Sequence, residues 1–185
     1  MNDFFNRMRA KLRRHTPNVA PTHEDANLSP LFNQIEAALK VNYPDAYASL
    51  IPGASEAELA RLKDICFDGQ DIPEDLSALY KWHNGQTGYG SINQEDNRTF
   101  LPIDEVIDAW EFLNDPMEDI DGPISKDWIP ITHNGAGDYL VYVRRGEHTG
   151  GLISYWHDEA DRYMRYSSLK EWLEAILTAA KTAKD

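Results

Sequence analysis

The spacing of the apolar residues changes along this 185-residue chain, and that change limits the folds the chain can adopt. Between Ser29 and about Asn114 the apolar residues recur at intervals of three and four, which predicts amphipathic helices. The stretches KDWIPIT, DYLVYV, GGLISYW and RYMRYS that follow are short, rich in β-branched and aromatic residues, and separated by glycine and aspartate turns. They predict antiparallel strands. A final helical stretch follows them, so the order of elements indicates an α+β fold.

Each predicted helix opens with a residue suited to a helix N-terminus. The predicted opening residues are Ser29, Ser55, Pro73, Asp104 and either Ser167 or Ser168. Ser55 is followed by Glu58 three residues later, which is the spacing of a capping box.

The tripeptide His-Asn-Gly occurs twice, at 83–85 and at 133–135. The first copy follows the third predicted helix, and we expect Asn84 or Gly85 to supply the positive φ that commonly ends a helix, with His83 in its last turn. The second copy lies between two predicted strands, where Asn and Gly favour a tight connection. It lacks the spacing and the lysine of a phosphate-binding loop. Both histidines are therefore predicted to be structural.

Charge is unevenly distributed along the sequence. Up to His15 the chain carries five basic residues and one acidic residue, whereas the remaining 170 residues hold 13 basic and 30 acidic residues. A body with a net charge of −17 repels phosphate backbones and attracts basic partners, so we expect no nucleic-acid binding by the body.

The first 28 residues are predicted to form a basic arm and a polar linker outside the folded domain, which spans residues 29–185. In the arm, Phe4, Met8 and Leu12 are four residues apart with cations between them, as in a basic amphipathic helix. Such a helix could contact a membrane or another protein, or it could be a frayed or self-docked terminus. Pro17 and Pro21, among polar residues, and Pro30 just after it mark the linker that follows.

The chain has neither an apolar run of about 20 residues nor the apolar core of a secretory signal, so we expect a cytoplasmic protein without a transmembrane segment. The single cysteine, Cys66, cannot form an internal disulfide and lies at helical spacing from Leu59 and Leu62. It is interpreted as a small buried apolar residue.

Six segments, taken in order, resemble the successive motifs of one family. They are IPGASEAELARLK, IPEDLSALYKWHNGQ, FLPIDEVIDAW, WIPITHNGAGDYLVYV, GGLISYWHDE and SLKEWLEAIL. They are similar to the SUKH superfamily, whose founding members include the fungal Smi/Knr cell-wall-assembly regulators and the herpesviral US-type proteins. The resemblance covers roughly residues 29–178.

The resemblance implies a single α+β domain with a mixed, largely antiparallel sheet flanked by helices. It also implies protein binding, since bacterial members often serve as immunity proteins against polymorphic toxins while other members regulate or scaffold. The family's asparagine and glycine at the end of a helix match Asn84 and Gly85, and its glycine-acid turn matches Gly137 and Asp138. The family is not known for a catalytic constellation.

A catalytic or metal site is the alternative to a binding module. His133, His157 and Asp158 could converge with Asp138 to bind a metal or to act as acid and base. Their spacing matches no known metal or nucleophile motif, and no paired CxxC, HExxH or GxSxG pattern occurs. We therefore expect no enzyme activity, no cofactor and no metal.

The most specific binding feature is an interval without any Lys or Arg between Arg98 and Lys126. Within it, the predicted partner-binding residues are Asp104, Glu105, Asp108, Glu111, Asp115, Met117, Glu118, Asp119 and Asp121. The acids alternate with apolar residues, and a surface with both suits a protein interface, although a solvated acidic face would have the same composition.

Three functions therefore remain open. The favoured one is an immunity protein that binds and neutralises a basic toxin domain, such as a nuclease. The alternatives are a cytosolic regulatory scaffold of the Smi/Knr type and, less favoured, an unrecognised enzyme.

Overall fold

The structure is a computed structural model that describes residues 27–88, 90–93, 97–118, 120 and 122–182. The basic arm and nearly all of the linker lie outside the described residues, as do Asp119 and Asp121 of the predicted binding set. The described residues form six helices and two sheets, which confirms the predicted α+β class.

Five of the six helices lie between residues 29 and 114, where short strands separate some of them, and the sixth follows the last strand. They are α1 (Ser29–Asn42), α2 (Pro44–Ala48), α3 (Glu56–Cys66), α4 (Glu74–Trp82), α5 (Ile103–Asn114) and α6 (Leu169–Lys181). The strands are β1 (Leu50–Pro52), β2 (His83–Gln86), β3 (Thr99–Phe100), β4 (Trp128–His133), β5 (Tyr139–Val143), β6 (Leu152–Tyr155) and β7 (Tyr163–Tyr166). No helix in the described part of the chain combines the length and the apolar character needed to cross a bilayer.

The larger sheet has the strand order β3-β4-β5-β6-β7, and the smaller one pairs β1 with β2. Every strand pair is antiparallel, so the sheet is more uniform than the mixed sheet that the resemblance implied. The four strands expected from the sequence are β4 to β7, and their existence is confirmed. The strands β1, β2 and β3 were not expected, because they are two to four residues long and lack a period-two pattern.

The central strands β4, β5 and β6 of the large sheet are buried on both faces. Leu140, Tyr142 and Leu152 belong to the main core, which the helices share, whereas Val141 and Ile153 belong to a second cluster on the opposite face. That second cluster is covered by Leu113 at the end of α5 and by the chain that follows it, including Ile120 and Ile124. The segment between Arg98 and Lys126 therefore helps to cover the second face of the large sheet.

Cys66 is fully buried in the main core on α3, beside Leu59 and Leu62, as predicted. Burial raises the pKa of its thiol to about 12. A thiol with such a high pKa remains protonated at neutral pH and is a poor nucleophile.

Three of the predicted helix openings are confirmed: Pro73 is the N-cap residue of α4, and two serines cap their helices through hydrogen bonds. The Ser55 hydroxyl accepts a hydrogen bond from the Glu58 backbone N–H at 3.3 Å, and the Glu58 carboxylate accepts one from the Ser55 backbone N–H at 2.7 Å. Ser168, rather than Ser167, caps α6 by accepting from the Glu171 N–H at 3.1 Å.

Two other predicted caps are wrong. Ser29 lies inside α1, where Leu28 occupies the cap position, and Asp104 lies in the first turn of α5 behind Pro102. Proline at or next to the first turn already fits a helix start because its missing N–H is not needed there. At the start of α5, the free backbone N–H of Ile103 instead donates a hydrogen bond to a side chain from strand β2.

The first His-Asn-Gly does not end a helix, which corrects the sequence interpretation. Helix α4 ends at Trp82, and His83 is extended with φ −143°, so the tripeptide opens strand β2. The Asn84 side-chain oxygen accepts a hydrogen bond from the Ile103 N–H at 2.9 Å and so caps α5, while its amide donates to the Glu58 carboxylate at 2.8 Å. One buried side chain thereby joins the starts of α3 and α5.

Gly85 does have the expected positive φ, at +78°, but for a different reason. A Cβ atom at this position would lie 2.2 Å from the Pro102 nitrogen and 2.5 Å from the Leu101 carbonyl carbon. Since both neighbours are backbone atoms that cannot rotate away, only glycine lets β2 approach the segment that leads into α5.

Candidate functional site

Helix α5 buries one side and exposes carboxylates on the other. Its buried residues are Ile103, Val106, Ile107, Ala109, Trp110 and Leu113. Its exposed acidic residues are Asp104, Glu105, Asp108 and Glu111, which are spaced by one to four residues and share the solvent side. Asp115 and Glu118, directly after the helix, are also exposed. We call these six carboxylates, on α5 and the turn that follows it, the acidic face.

The charge of the acidic face is largely uncompensated. Asp104 forms an ion pair with Arg61 of α3. Among the described residues, no Lys, Arg or His forms an ion pair with the other five, Glu105, Asp108, Glu111, Asp115 and Glu118. Five uncompensated carboxylates close together create a negative potential that attracts cationic groups.

A tight turn at the end of α5 displays an apolar side chain within the acidic face. The Asp115 carboxylate accepts a hydrogen bond from the Met117 N–H at 2.8 Å, and the Asp115 N–H donates to the Phe112 carbonyl at 3.2 Å. Met117 is 87% exposed, which is the largest exposure among the large apolar residues of the described chain. Its thioether can adapt to an irregular partner surface.

The structure separates the apolar residues of this interval into core and surface. Trp110 and Leu113 are buried, and the Trp110 indole N–H donates to the Lys126 carbonyl at 3.2 Å. Ile120 packs against the second core cluster. Phe112, with 49% of its surface exposed, and Met117 therefore remain as the apolar groups available to a partner.

A groove of about 290 Å³ runs between α5 and the ends of the neighbouring strands. Its lining consists of Leu101, Glu105, Asp108, Ala109, Phe112, His133 and Tyr139. Two carboxylates therefore lie beside two aromatic rings. Carboxylates pair with guanidinium or ammonium groups, and aromatic faces attract the same cations, so the groove suits a lysine or arginine side chain.

No sequence pattern groups Phe112, His133 and Tyr139 in one site, and the site considered for His133 was the metal or acid-base group with Asp138. Phe112 could have been found, because it follows Asp108 by four residues and so belongs to the same side of the helix. His133 and Tyr139 could not, because the pairing of β4 with β5 brings them together and against α5. Sequence spacing contains no information about that approach.

The family-motif residues Gly137 and Asp138 lie in the loop between β4 and β5, where they hold two loops together. The buried Asp138 carboxylate accepts hydrogen bonds from the His157 backbone N–H at 3.0 Å, from the His157 ring Nδ1–H at 2.8 Å, and from the Asn134 side-chain amide. Gly137 has φ +93°, and a Cβ atom there would lie 3.3 Å from the His157 side chain. We call the Asn134–Asp138–His157 group the loop clasp.

The loop clasp changes the titration of both ionisable partners. Burial alone would raise the pKa of the Asp138 carboxyl, but hydrogen bonds from the His157 backbone, the His157 ring and Asn134 outweigh burial and hold its pKa below the usual 3.8. The hydrogen bond to Asp138 raises the pKa of His157 above its usual 6.5. Each group therefore favours the charged form of the other.

The structure brings together three of the four residues weighed as a metal or acid-base site. One ligand atom each from Asp138, His157 and Asp158 lies within 4.8 Å of the others, whereas His133 lies apart and lines the groove. Both oxygens of Asp138 already accept hydrogen bonds from Asn134 and His157. That bonding gives the group a structural role that needs no ion.

Comparison with known protein families identifies the family of this domain. Residues 53–175, more than half of the chain, match the sequence model of the SMI1 / KNR4 family (SUKH-1). The matched range contains β2, the loop clasp and the whole of the acidic face. None of the curated proteins compared with the chain matches it significantly.

Proposed function

The chain belongs to the SMI1 / KNR4 family (SUKH-1), and on that premise we propose that it is a protein-binding module that captures a basic protein partner on the acidic face of α5. The observation that carries this proposal is the set of five uncompensated carboxylates around two exposed apolar side chains, Phe112 and Met117.

The two kinds of residue have different tasks in such a complex. Charges at the rim of an interface mainly raise the association rate and reject wrong partners. Buried aromatic or aliphatic anchors supply most of the affinity and slow dissociation. We assign the first task to the carboxylates and the second to Phe112 and Met117.

We propose further that the partner is a toxin domain, which this protein neutralises as an immunity protein in the cytoplasm. A nuclease must present a basic surface, because it binds the phosphate backbone of its substrate. An acidic face that covers that surface would block substrate access without any chemistry. A net charge of −17 outside the first 15 residues supports the same choice, since it favours cationic proteins over nucleic acids.

We propose that the protein is not an enzyme and uses no cofactor or metal. The hydrogen bonding of Asp138 within the loop clasp supports this view, because three hydrogen bonds from Asn134 and His157 account for its buried carboxylate without a metal ion. Elemental mass spectrometry of protein purified without an affinity tag should find no stoichiometric metal. A metal present at one equivalent, and lost in Asp138→Asn, would contradict this proposal.

The experiment that tests the toxin assignment is co-expression with the toxin candidate encoded beside this gene. We expect the two proteins to purify together and the cells to survive expression of the toxin. A matched pair of variants then locates the interface: Asp108→Lys with Glu111→Lys should weaken protection, whereas Glu147→Lys with Glu174→Lys, an equal charge change at exposed sites, should not. Failure to form a complex with that candidate would remove the immunity role for the pair.

A regulatory scaffold is the second proposal, and one observation favours it. Trp156, Tyr163 and Met164, beside and on the outer strand β7, are 37%, 55% and 38% exposed. This second apolar surface would let the protein hold two partners at once, as a scaffold must. A complex that is insensitive to charge reversal on the acidic face but lost in Tyr163→Ala or Met164→Ala would favour this role.

A further inference from the structure

We propose that the basic arm, residues 1–15, binds the groove beside α5 of its own chain and occupies the acidic face in the absence of a partner. This inference does not depend on the nature of any partner. It gives a role to the one sequence feature, the basic amphipathic arm, that the proposed function leaves unused.

Charge complementarity is the first argument. The arm carries Arg7, Arg9, Lys11, Arg13 and Arg14 against the single acid Asp3. The groove presents Glu105 and Asp108, and Glu111 and Asp115 follow on the same helix or just beyond it, all four without an ion-pair partner among the described residues. The most basic segment of the chain thus matches its least compensated acidic surface.

Apolar complementarity is the second argument. Phe4, Met8 and Leu12 recur every four residues, a spacing that aligns side chains on one side of a helix. The groove offers apolar surface from Leu101, Ala109, Phe112 and Tyr139 between its carboxylates. Amphipathic segments commonly bind such grooves with i, i+4 anchors.

The length of the linker and the high local concentration of a tethered arm are the third argument. Twelve residues separate His15 from Leu28, where the described domain is already part of the core. Twelve extended residues span roughly 40 Å, and a domain of this size has a radius of gyration of about 15 Å, so the linker lets the arm reach much of the domain surface. A short tether also gives an effective concentration in the millimolar range, so even weak affinity would keep the groove occupied.

The full chain offers a selective labelling strategy. Cys66 is fully buried and its thiol pKa is about 12, so a cysteine introduced into the arm reacts alone with a nitroxide spin label. Ala10→Cys places the label away from the apolar stripe of Phe4, Met8 and Leu12. Paramagnetic broadening of assigned backbone amide signals then reports which surface the arm contacts.

We expect the label to broaden the amides of α5 and of the strand ends at His133 and Tyr139 at low salt. The broadening should vanish at about 1 M salt, where the Debye length is about 3 Å. It should also vanish in Glu105→Lys with Asp108→Lys. It should persist in the control Glu147→Lys with Glu174→Lys, because Glu147 lies in the β5–β6 turn, at the opposite end of the sheet, and Glu174 lies on α6.

Three results would overturn the proposal. The first is the absence of broadening on α5 at low salt. The second is broadening that the Glu105 and Asp108 reversals leave unchanged. The third is broadening of isotope-labelled chains by spin-labelled, isotope-free chains in a mixed sample, because that would place the arm on a second copy and not on its own domain.

Discussion

The two His-Asn-Gly copies have the same sequence but different structural roles. Asn84 is 6% exposed, and its side chain bonds to residues 19 and 26 positions away, at Ile103 and Glu58. Asn134 is half-buried, and within the described residues its side chain bonds only to Ala136 and Asp138, in its own loop. The first copy connects three elements of the fold, whereas the second shapes one connection.

A turn-forming tripeptide therefore does not determine its own structural role. Asparagine and glycine allow positive φ and compact backbone hydrogen bonding in both places, and Gly85 and Gly135 both have φ +78°. What differs is the surrounding structure: Gly85 touches the backbone of Leu101 and Pro102, whereas Gly135 is exposed. Substitutions at matched positions should therefore have unequal effects.

The largest difference is expected at the glycines. Gly85→Ala should lower the free energy of unfolding by about 3 kcal/mol or more, because it combines left-handed strain with overlap against fixed backbone. Gly88→Ala is the control, since Gly88 has φ +71° with nothing within 4 Å of a Cβ atom. It should cost only about 1 kcal/mol, as should Gly135→Ala. Denaturant unfolding measures all three, and equal losses at Gly85 and Gly88 would contradict the close approach of β2 to Pro102.

The asparagines should follow the same order with smaller effects. Asn84→Ala removes the cap of α5 and leaves the buried Ile103 N–H without its acceptor, at a cost of about 2 kcal/mol. Asn134→Ala removes bonds from a half-exposed loop, and we expect a loss of about 1 kcal/mol or less. If thermal unfolding ranked the two variants in the opposite order, the long-range cap would not be the main role of Asn84.

The loop clasp should make stability depend on pH. The Asp138 contribution is present above the unfolded carboxyl pKa near 3.8 and is lost as pH falls through the lower folded value. The His157 contribution is complete below the unfolded pKa near 6.5 and is lost as pH rises through the higher folded value. The loop clasp therefore stabilises the protein most between about pH 4 and about pH 6.5.

This window predicts a small, pH-dependent effect of His157→Gln. The melting temperature should fall more, relative to the unmodified protein, at about pH 5.5 than at about pH 8.5. His148→Gln serves as the control, because the His148 side chain makes no hydrogen bond within the described residues, and its effect should not change in this way. A His157→Gln effect of the same size at both pH values would show that the charged pair contributes nothing.

The sequence predicted most of the regular structure of this protein. Periodicity identified α1, α3, α4, α5 and α6, because each buries a regular set of apolar residues. Short runs of β-branched and aromatic residues between turn residues identified β4 to β7, including the mostly exposed β7. Local chemistry identified the caps at Ser55 and Ser168, whose partners lie within three residues. These features depend on nearby residues, which the sequence displays directly.

Features that depend on distant partners were not predicted. The cap of α5 comes from Asn84, which lies 19 residues before Ile103 in the sequence. Strand β2 forms because it pairs with β1, and it packs against the segment that leads into α5. The acidic side of α5 could be read from its spacing, but the groove could not, because His133 and Tyr139 reach it through strand pairing. The packing of distant segments, and not local propensity, determines these positions.

The most direct test of the central claim measures how fast the purified partner associates with this protein at low and high salt. We expect Asp108→Lys, Glu111→Lys and Asp115→Lys together to slow association and flatten its salt dependence, and Met117→Ala mainly to speed dissociation. An equal charge change at the exposed residues Asp45, Glu147 and Glu174 should alter both much less. An association rate and salt dependence that remain the same after reversal of the acidic face would contradict the claim that this face receives the partner.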